Sequence, residues 1–306
     1  MDRRKKLIAN WKLNADYVSM KKFFDNVSSN EDVDLVVVPS LLGILPAMNL
    51  SRNKQINVAA QNCGIVTVGN HTGDTSWIEL KDYNIRNIMV GHPEVCKAFG
   101  ESDILINKKV KTFLENEINV ILVLSEDRTD LLKDSTKESL KLKLKKYLSG
   151  IDPTLFANHL TIVYKPTFIG EVGVRATPEF VVGAITTIRN FIREEYSFYI
   201  GNNIPILFGG EFLSEDFEEI VNSNHVDGVM IDNEKSTSPK YISILMKYLY
   251  KASTETYQKF YENNLIIDEP LEIERQRQQI NISPFEDYEI DSDIYFKDID
   301  ISEEEI

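Results

Sequence analysis

Ile162-Val163-Tyr164-Lys165-Pro166-Thr167-Phe168-Ile169-Gly170-Glu171-Val172-Gly173-Val174-Arg175-Ala176-Thr177-Pro178 is the stretch on which the fold turns. The apolar run that ends at Lys165 suits a buried strand. Pro166, Gly170 and Gly173 mark a loop of lid length. Thr177-Pro178-Glu179 then reads as a helix N-terminus, with Thr177 as N-cap and Pro178 at the first helical position. Strand, loop and helix follow in turn, and a charged side chain stands where the strand gives way to the loop.

The same alternation runs along most of the chain. Leu7–Trp11, Leu35–Val38, Ile56–Ala60, Ile88–Val90, Val120–Leu124, Leu160–Tyr164, Ile204–Phe208 and Gly228–Ile231 are short apolar runs with strand character. Between them lie amphipathic segments: Ser19–Val27, Ile104–Leu114, a Lys-rich run over Leu131–Leu148, Phe180–Arg193 and Asp216–Val221. Eight strand–helix units with right-handed crossovers close naturally into an α/β barrel. An open doubly wound sheet is the competing arrangement, weakened by the lack of a Gly-rich dinucleotide fingerprint after the first strand.

A barrel of this kind takes about 250 residues, and the chain has 306. We therefore expect residues 1–257 to form the barrel and 258–306 an extension. The two cysteines, Cys63 and Cys96, have no metal-ligand spacing and no disulfide framework, and read as inert small residues in a reducing compartment. His71, His159 and His225 read as satisfied surface histidines. Neither a signal peptide nor a membrane span is visible, since Asn10 and Lys12 interrupt the first apolar run. We expect a cytoplasmic protein without membrane insertion. The net charge of −14 argues against nucleic acid as a partner, because affinity there depends on neutralising phosphates.

Short motifs then narrow the reading. Ala9-Asn10-Trp11-Lys12-Leu13-Asn14 is followed by Ala60-Gln61-Asn62-Cys63, by Gly69 and by Thr72-Gly73-Asp74. Next come Gly91-His92-Pro93-Glu94, Phe99-Gly100-Glu101-Ser102-Asp103, Ala176-Thr177-Pro178, Gly209-Gly210 and Val226-Asp227-Gly228. In this order and spacing the set resembles the triosephosphate isomerase family, over about residues 4–250. The resemblance implies a (β/α)8 barrel, with substrate-binding Asn10 and Lys12, the electrophile His92 and its neighbour Glu94 at one mouth. It implies no cofactor and no metal.

The departures from that family are chemical. Where it carries a catalytic glutamate, this chain has Lys165, and abstraction of a proton beside a carbonyl needs a lone pair that an ammonium lacks. Glu171 lies where loop amides close over the substrate phosphate. Glu211 follows Gly209-Gly210, and Asp232-Asn233 replaces a Gly-Gly pair whose amides form an anion nest. Carboxylates facing a phosphate repel it. On these grounds we expect a non-enzyme, an isomerase-like barrel serving as a structural or interaction subunit. The alternatives are a residual isomerase, with Asn10, Lys12, His92 and Glu94 as its remnant, and a Schiff-base lyase using Lys165 as the nucleophile.

Two segments suggest partners. The loop Gln61–Trp77 corresponds to the family's dimer-forming loop, and Thr72, Gly73, Asp74 and Trp77 are its candidate contact residues in a homodimer or heterodimer. Residues 258–306 carry fifteen Asp and Glu against four Lys and Arg, so nearly all the net charge is theirs. Phe285, Tyr288, Tyr295 and Phe296 are interleaved with the acids, as in a segment that docks on a basic surface of another protein.

Overall fold

The computed structural model describes residues 3–27, 31–126, 128–133, 135–169, 177–212 and 214–264, with backbone alone at 128, 214 and 255–264. Eight strands, β1 (Lys5–Asn10), β2 (Val33–Val38), β3 (Ile56–Ala60), β4 (Asn87–Val90), β5 (Asn119–Leu124), β6 (Leu160–Tyr164), β7 (Ile206–Gly209) and β8 (Gly228–Ile231), close into a barrel in sequence order. Every pairing is parallel, and the closure sets Lys6 to Ile231 in register, with Lys6 opposite Gly228 and Ala9 opposite Ile231. The helices are α1 (Tyr17–Asn26), α2 (Ile44–Leu50), α3 (Trp77–Asp82), α4 (Pro93–Phe99), α5 (Asp103–Glu115) and α6 (Arg128–Leu132). They continue with α7 (Thr136–Tyr147), α8 (Phe156–His159), α9 (Pro178–Glu195), α10 (Phe198–Asn203), α11 (Ser214–Asn222) and α12 (Pro239–Asn264). This is a (β/α)8 barrel, and the open-sheet alternative is excluded by the β1–β8 pairing.

The strands read as continuous apolar runs because both of their faces are covered. Ile8, Val36, Val38, Ala59, Met89, Ile121, Val123, Val163, Leu207 and Met230 fill the barrel interior. The alternate residues, Leu7 and Ala9 among them, face the helices. On α9, Val181, Ala184, Ile185, Ile188 and Ile192 recur at helical spacing and are buried. Its N-terminus is capped as expected: the Thr177 hydroxyl accepts from Phe180 N at 3.4 Å, with Pro178 at the first helical position.

Several strand ends shift by one or two residues from the sequence reading, β1 to Lys5–Asn10 and β2 to Val33–Val38 among them, and two differences have a local cause. β7 starts at Ile206, not Ile204, because Pro205 has no N–H for the ladder; its carbonyl still accepts from Ile162 N. The Lys-rich helix is two helices, because Ser135 turns back on Asp130, donating to its carbonyl from both N and Oγ.

At the N-terminal end of the barrel, the fully buried Arg189 donates to Asp227 Oδ2 at 2.6 Å. Ile206 N donates to that oxygen, and Arg3 Nε to Oδ1. Beside it, Gly228 has φ +148°, and a Cβ there would lie 1.8 Å from Lys6 O. Only glycine lets β8 approach β1 so closely.

The barrel belongs to a compact unit that ends at Thr256. The candidate docking residues Phe285, Tyr288, Tyr295 and Phe296, and with them Glu171 of the long loop, lie outside the described residues. No helix among the described residues is long and apolar enough to cross a membrane.

Candidate functional site

Four strand ends converge at the C-terminal mouth of the barrel, where enzymes of this fold place their chemistry. β1 delivers Asn10 and Lys12, β4 delivers His92, β6 delivers Lys165 and β8 delivers Asp232. Lys12 sits at φ +50°, in the left-handed region that disfavours side chains. It is held there by its N–H to Asn10 Oδ1 and by Gln61 Nε2 on its carbonyl. Ser236, fully buried in the turn after β8, donates its hydroxyl to Asn10 O and accepts the Trp11 indole N–H on its carbonyl, each at 3.0 Å. These bonds lock the ends of β1 and β8 together, which fixes Lys12 relative to Asp232.

One oxygen is the focus of the mouth. Asp232 Oδ2 lies 2.8 Å from Lys165 Nζ, 3.2 Å from His92 Nε2 and 3.4 Å from Lys12 Nζ. Burial by itself would push this carboxyl up, but the His92 hydrogen bond and the Lys165 and Lys12 charges outweigh it and hold the group well below the usual carboxylate range. Lys12 also donates to Glu94 Oε1 at 2.6 Å. Desolvation opposes its charge, yet Glu94 and Asp232 prevail and raise its pKa.

His92 is the N-cap of α4, and its Nδ1 accepts from Glu94 N at 3.4 Å. An accepting Nδ1 leaves the proton on Nε2, which then donates to Asp232. All of the family-matching residues, Asn10, Lys12, His92 and Glu94, thus meet in one place with Lys165. The hub of the cluster, Asp232, entered the sequence reading only as an acid that repels phosphate.

Lys165 Nζ is held in an ion pair with Asp232 Oδ2 at 2.8 Å, and an ammonium has no lone pair with which to attack a carbonyl. The geometry gives no support to imine formation. Just beyond it, Glu126 anchors the start of the long loop. Its carbonyl accepts from Thr167 N at 3.0 Å and Thr167 Oγ1 at 2.9 Å, while its side chain accepts from the Tyr164 hydroxyl. Burial raises the Glu126 carboxyl despite that hydrogen bond. Nothing local in the sequence marked this contact, because Glu126 and Tyr164 are 38 positions apart.

A cleft of about 130 Å³ adjoins the mouth between the ends of β7 and β8, bordered by Glu211, Asp232, Asn233, Glu234, Lys235 and Tyr241. Gly209 and Gly210 are required there, since a Cβ would meet Val163 Cγ1 at 2.8 Å and the Phe208 ring at 2.7 Å. The turn's N–H groups are partly spoken for: Asn233 Oδ1 accepts from Lys235 N at 3.1 Å. Burial and the Glu211 charge push the Tyr241 hydroxyl up to about 12.

The loop 61–77 is braced from within. Gly64 N donates to Thr75 O, and Ser76 Oγ to Val66 O, both at 2.8 Å. Thr72, Gly73 and Asp74 are exposed and Val68 is 88% exposed. Trp77 is 7% exposed, so it supports the loop from the core and offers no contact surface.

Comparison with known proteins agrees with this geometry. A profile of the triosephosphate isomerase family matches residues 5–248. The triosephosphate isomerase of Mycoplasmoides gallisepticum is 32% identical over 244 residues, covering 78% of this chain and 96% of that protein. That of Mycoplasma pneumoniae is 28% identical over 235 residues, with 75% and 92% covered. That of Thermodesulfovibrio yellowstonii is 28% identical over 249 residues, with 80% and 99% covered. These relatives overturn the expectation of a non-enzyme, for they are named as enzymes and match along nearly their whole lengths. That expectation took Lys165 as the loss of the mouth's carboxylate. It counted Asp232 only against phosphate, whereas this carboxylate lies at the mouth within 3.4 Å of Lys165, His92 and Lys12.

Proposed function

Because the chain belongs to the triosephosphate isomerase family, we propose that it interconverts the carbonyl isomers of a triose phosphate, with Asp232 as the proton-accepting carboxylate. The observation that carries the reading is the meeting of Lys165, His92 and Lys12 on one Asp232 oxygen. In the resting site those donors keep the carboxylate weakly basic. A substrate brings a carbonyl and a hydroxyl oxygen that compete for the same donors, and each donor drawn away restores proton affinity to Asp232.

The proton then passes from the carbon beside the carbonyl to Asp232, and the electrons of that C–H bond form the double bond of an enediolate. The Nε2–H of His92 and the lysine ammoniums stabilise the oxygen on which charge develops. His92 Nε2 gives its proton to the former carbonyl oxygen and recovers one from the neighbouring hydroxyl oxygen, and return of the carbon-borne proton from Asp232 to the neighbouring carbon completes the isomer. Donors that stay on Asp232 keep it less basic than a free carboxylate, so turnover is slow. Glu211 and Glu234 oppose the substrate phosphate, while Lys12 and Lys235 attract it. Binding is therefore weak and sensitive to salt.

The test is isomerisation in deuterated water, followed by NMR, with protein from a host lacking its own isomerase. Deuterium should enter at the carbon beside the carbonyl, and Asp232→Asn should abolish the exchange. Equal exchange by wild type and Asp232→Asn would exclude this base.

We further propose that the loop 61–77 mediates association, homodimeric or with another protein. Its support is the 88% exposed Val68 carried on an internally hydrogen-bonded loop. Light scattering should show a concentration-dependent mass that Val68→Asp reduces, and an unchanged monomer throughout would remove the idea.

A further inference from the structure

At the opposite end of the barrel from Asp232, an open groove of about 760 Å³ runs between the turn after α2 and the starts of β3, β4 and β5. We infer that this groove binds a small phosphorylated polyol, a sugar phosphate or a nucleotide, at a site separate from the catalytic mouth. The first reason is charge. Among the described residues Arg52, Lys54 and Arg86 line it and no Asp or Glu does, in a chain whose net charge is −14. A merely solvated barrel end would be expected to show both signs.

The second reason is the kind of neutral group present. Six of the fifteen described residues that line it are asparagines, and a primary amide both donates and accepts, as recognition of sugar hydroxyls requires. Part of this amide surface is already set in place. Asn119 Nδ2 donates to Asn87 Oδ1 at 3.1 Å, Asn87 Nδ2 donates to Val58 O at 3.3 Å, and His159 Nδ1 lies 2.9 Å from Asn119 Oδ1. The row crosses three strand starts, so it is as rigid as the sheet.

The third reason is an uncommitted cation. No hydrogen bond or ion pair engages the Arg86 side chain among the described residues. Arg52 has only a 3.5 Å contact to Asn49. Lys54, which also lines the groove, donates to Phe24 O, and that bond fixes its position. Asn53 and Asn84, at φ +66° and +62°, form the tight turns that bring these cations to the two sides. Guanidinium pairs suit phosphate because their N–H groups match its oxygens two at a time. The volume lies within the usual range of ligand sites, about 300–1,000 Å³.

Isothermal titration of the full chain with ribose 5-phosphate, AMP, ribose and inorganic phosphate tests the assignment. At least one of the two phosphorylated polyols should bind saturably, and ribose and phosphate should each bind about ten-fold more weakly or worse. The preferred ligand distinguishes sugar phosphate from nucleotide. Arg52→Gln with Arg86→Gln should weaken binding about ten-fold or more, whereas Lys12→Ala, at the other mouth, should leave it unchanged. No saturable binding at millimolar concentration, inorganic phosphate binding as tightly, or a loss that follows Lys12→Ala would overturn the proposal. Should the double variant fold poorly, NMR of the wild-type side-chain amides decides: shifts at Asn87 and Asn119 support the site, and shifts confined to Asn10 and Gln61 reject it.

Discussion

Lys165 and Asp232 face each other across the barrel mouth as an ion pair, Nζ to Oδ2 2.8 Å, with 16% and 11% of their side chains exposed. Set against the family's pattern, the end of β6 has exchanged a carboxylate for an ammonium and the end of β8 has gained a carboxylate. Replacing Lys165 with Glu therefore does not restore the family's site. It puts two carboxylates at contact distance in a largely buried setting and removes one of three cationic or donating partners of Asp232. We expect Lys165→Glu to lower turnover at least ten-fold and stability by about 1–3 kcal/mol. Lys165→Glu with Asp232→Gly should be the more active of the two. Full activity in the single variant, measured by the deuterium-exchange assay, would show that the pair has no role.

The same carboxylate sets a pH dependence. Its pKa in the folded protein lies below the unfolded value of about 3.9. A depressed carboxylate stabilises the fold fully above the unfolded pKa and loses that contribution as pH falls through the folded one. The stability difference between wild type and Asp232→Asn should thus be flat from neutral pH to about pH 5 and shrink below about pH 4. Urea denaturation at stepped pH measures it. A difference that stays constant down to pH 3 would mean that Asp232 is not held ionised by its neighbours.

Much of the fold could be read along the chain because its determinants are local. A strand covered on both faces is an apolar run whatever its partners, and the Thr177-Pro178 start of α9 lies in three consecutive residues. The site was legible only where one residue type carries the chemistry. Lys165 stood out as a replaced base, and His92 followed from its Gly-His-Pro-Glu setting. Asp232 was weighed only against phosphate, because its ion pairs depend on three side chains from β1, β4 and β6, none within sixty positions of it. Trp77 was misread for the converse reason: an aromatic in a polar loop looks like surface until α3 packs it into the core.

The buried charge cluster at the other end of the barrel makes a prediction independent of catalysis. Arg189 is fully buried with Asp227 as its carboxylate partner. Asp227→Asn keeps the shape and removes the charge, so an unpaired guanidinium remains in the interior. We expect a loss of about 3–5 kcal/mol, read by denaturant unfolding. Gly228→Ala should be at least as severe, since the added Cβ would lie 1.8 Å from Lys6 O. A shift below about 1 kcal/mol in both variants would mean that the β1–β8 seam yields far more easily than this geometry indicates.

The last expectation concerns what the phosphate contributes to recognition. Glu211 and Glu234 are exposed at the cleft between β7 and β8, which Lys235 also borders. Each carboxylate near a phosphate costs about 1 kcal/mol in water-like surroundings, and salt reduces the cost. A triose phosphate should therefore be favoured over the unphosphorylated triose by little more than ten-fold in kcat/KM. Glu211→Ser and Glu234→Gln should each lower KM about two- to five-fold at low salt with little change in kcat, since the repulsion acts on ground state and transition state alike. At high salt the gain should fade. A change confined to kcat, or a gain that survives high salt, would place these carboxylates in the chemistry of the mouth and remove the repulsion reading.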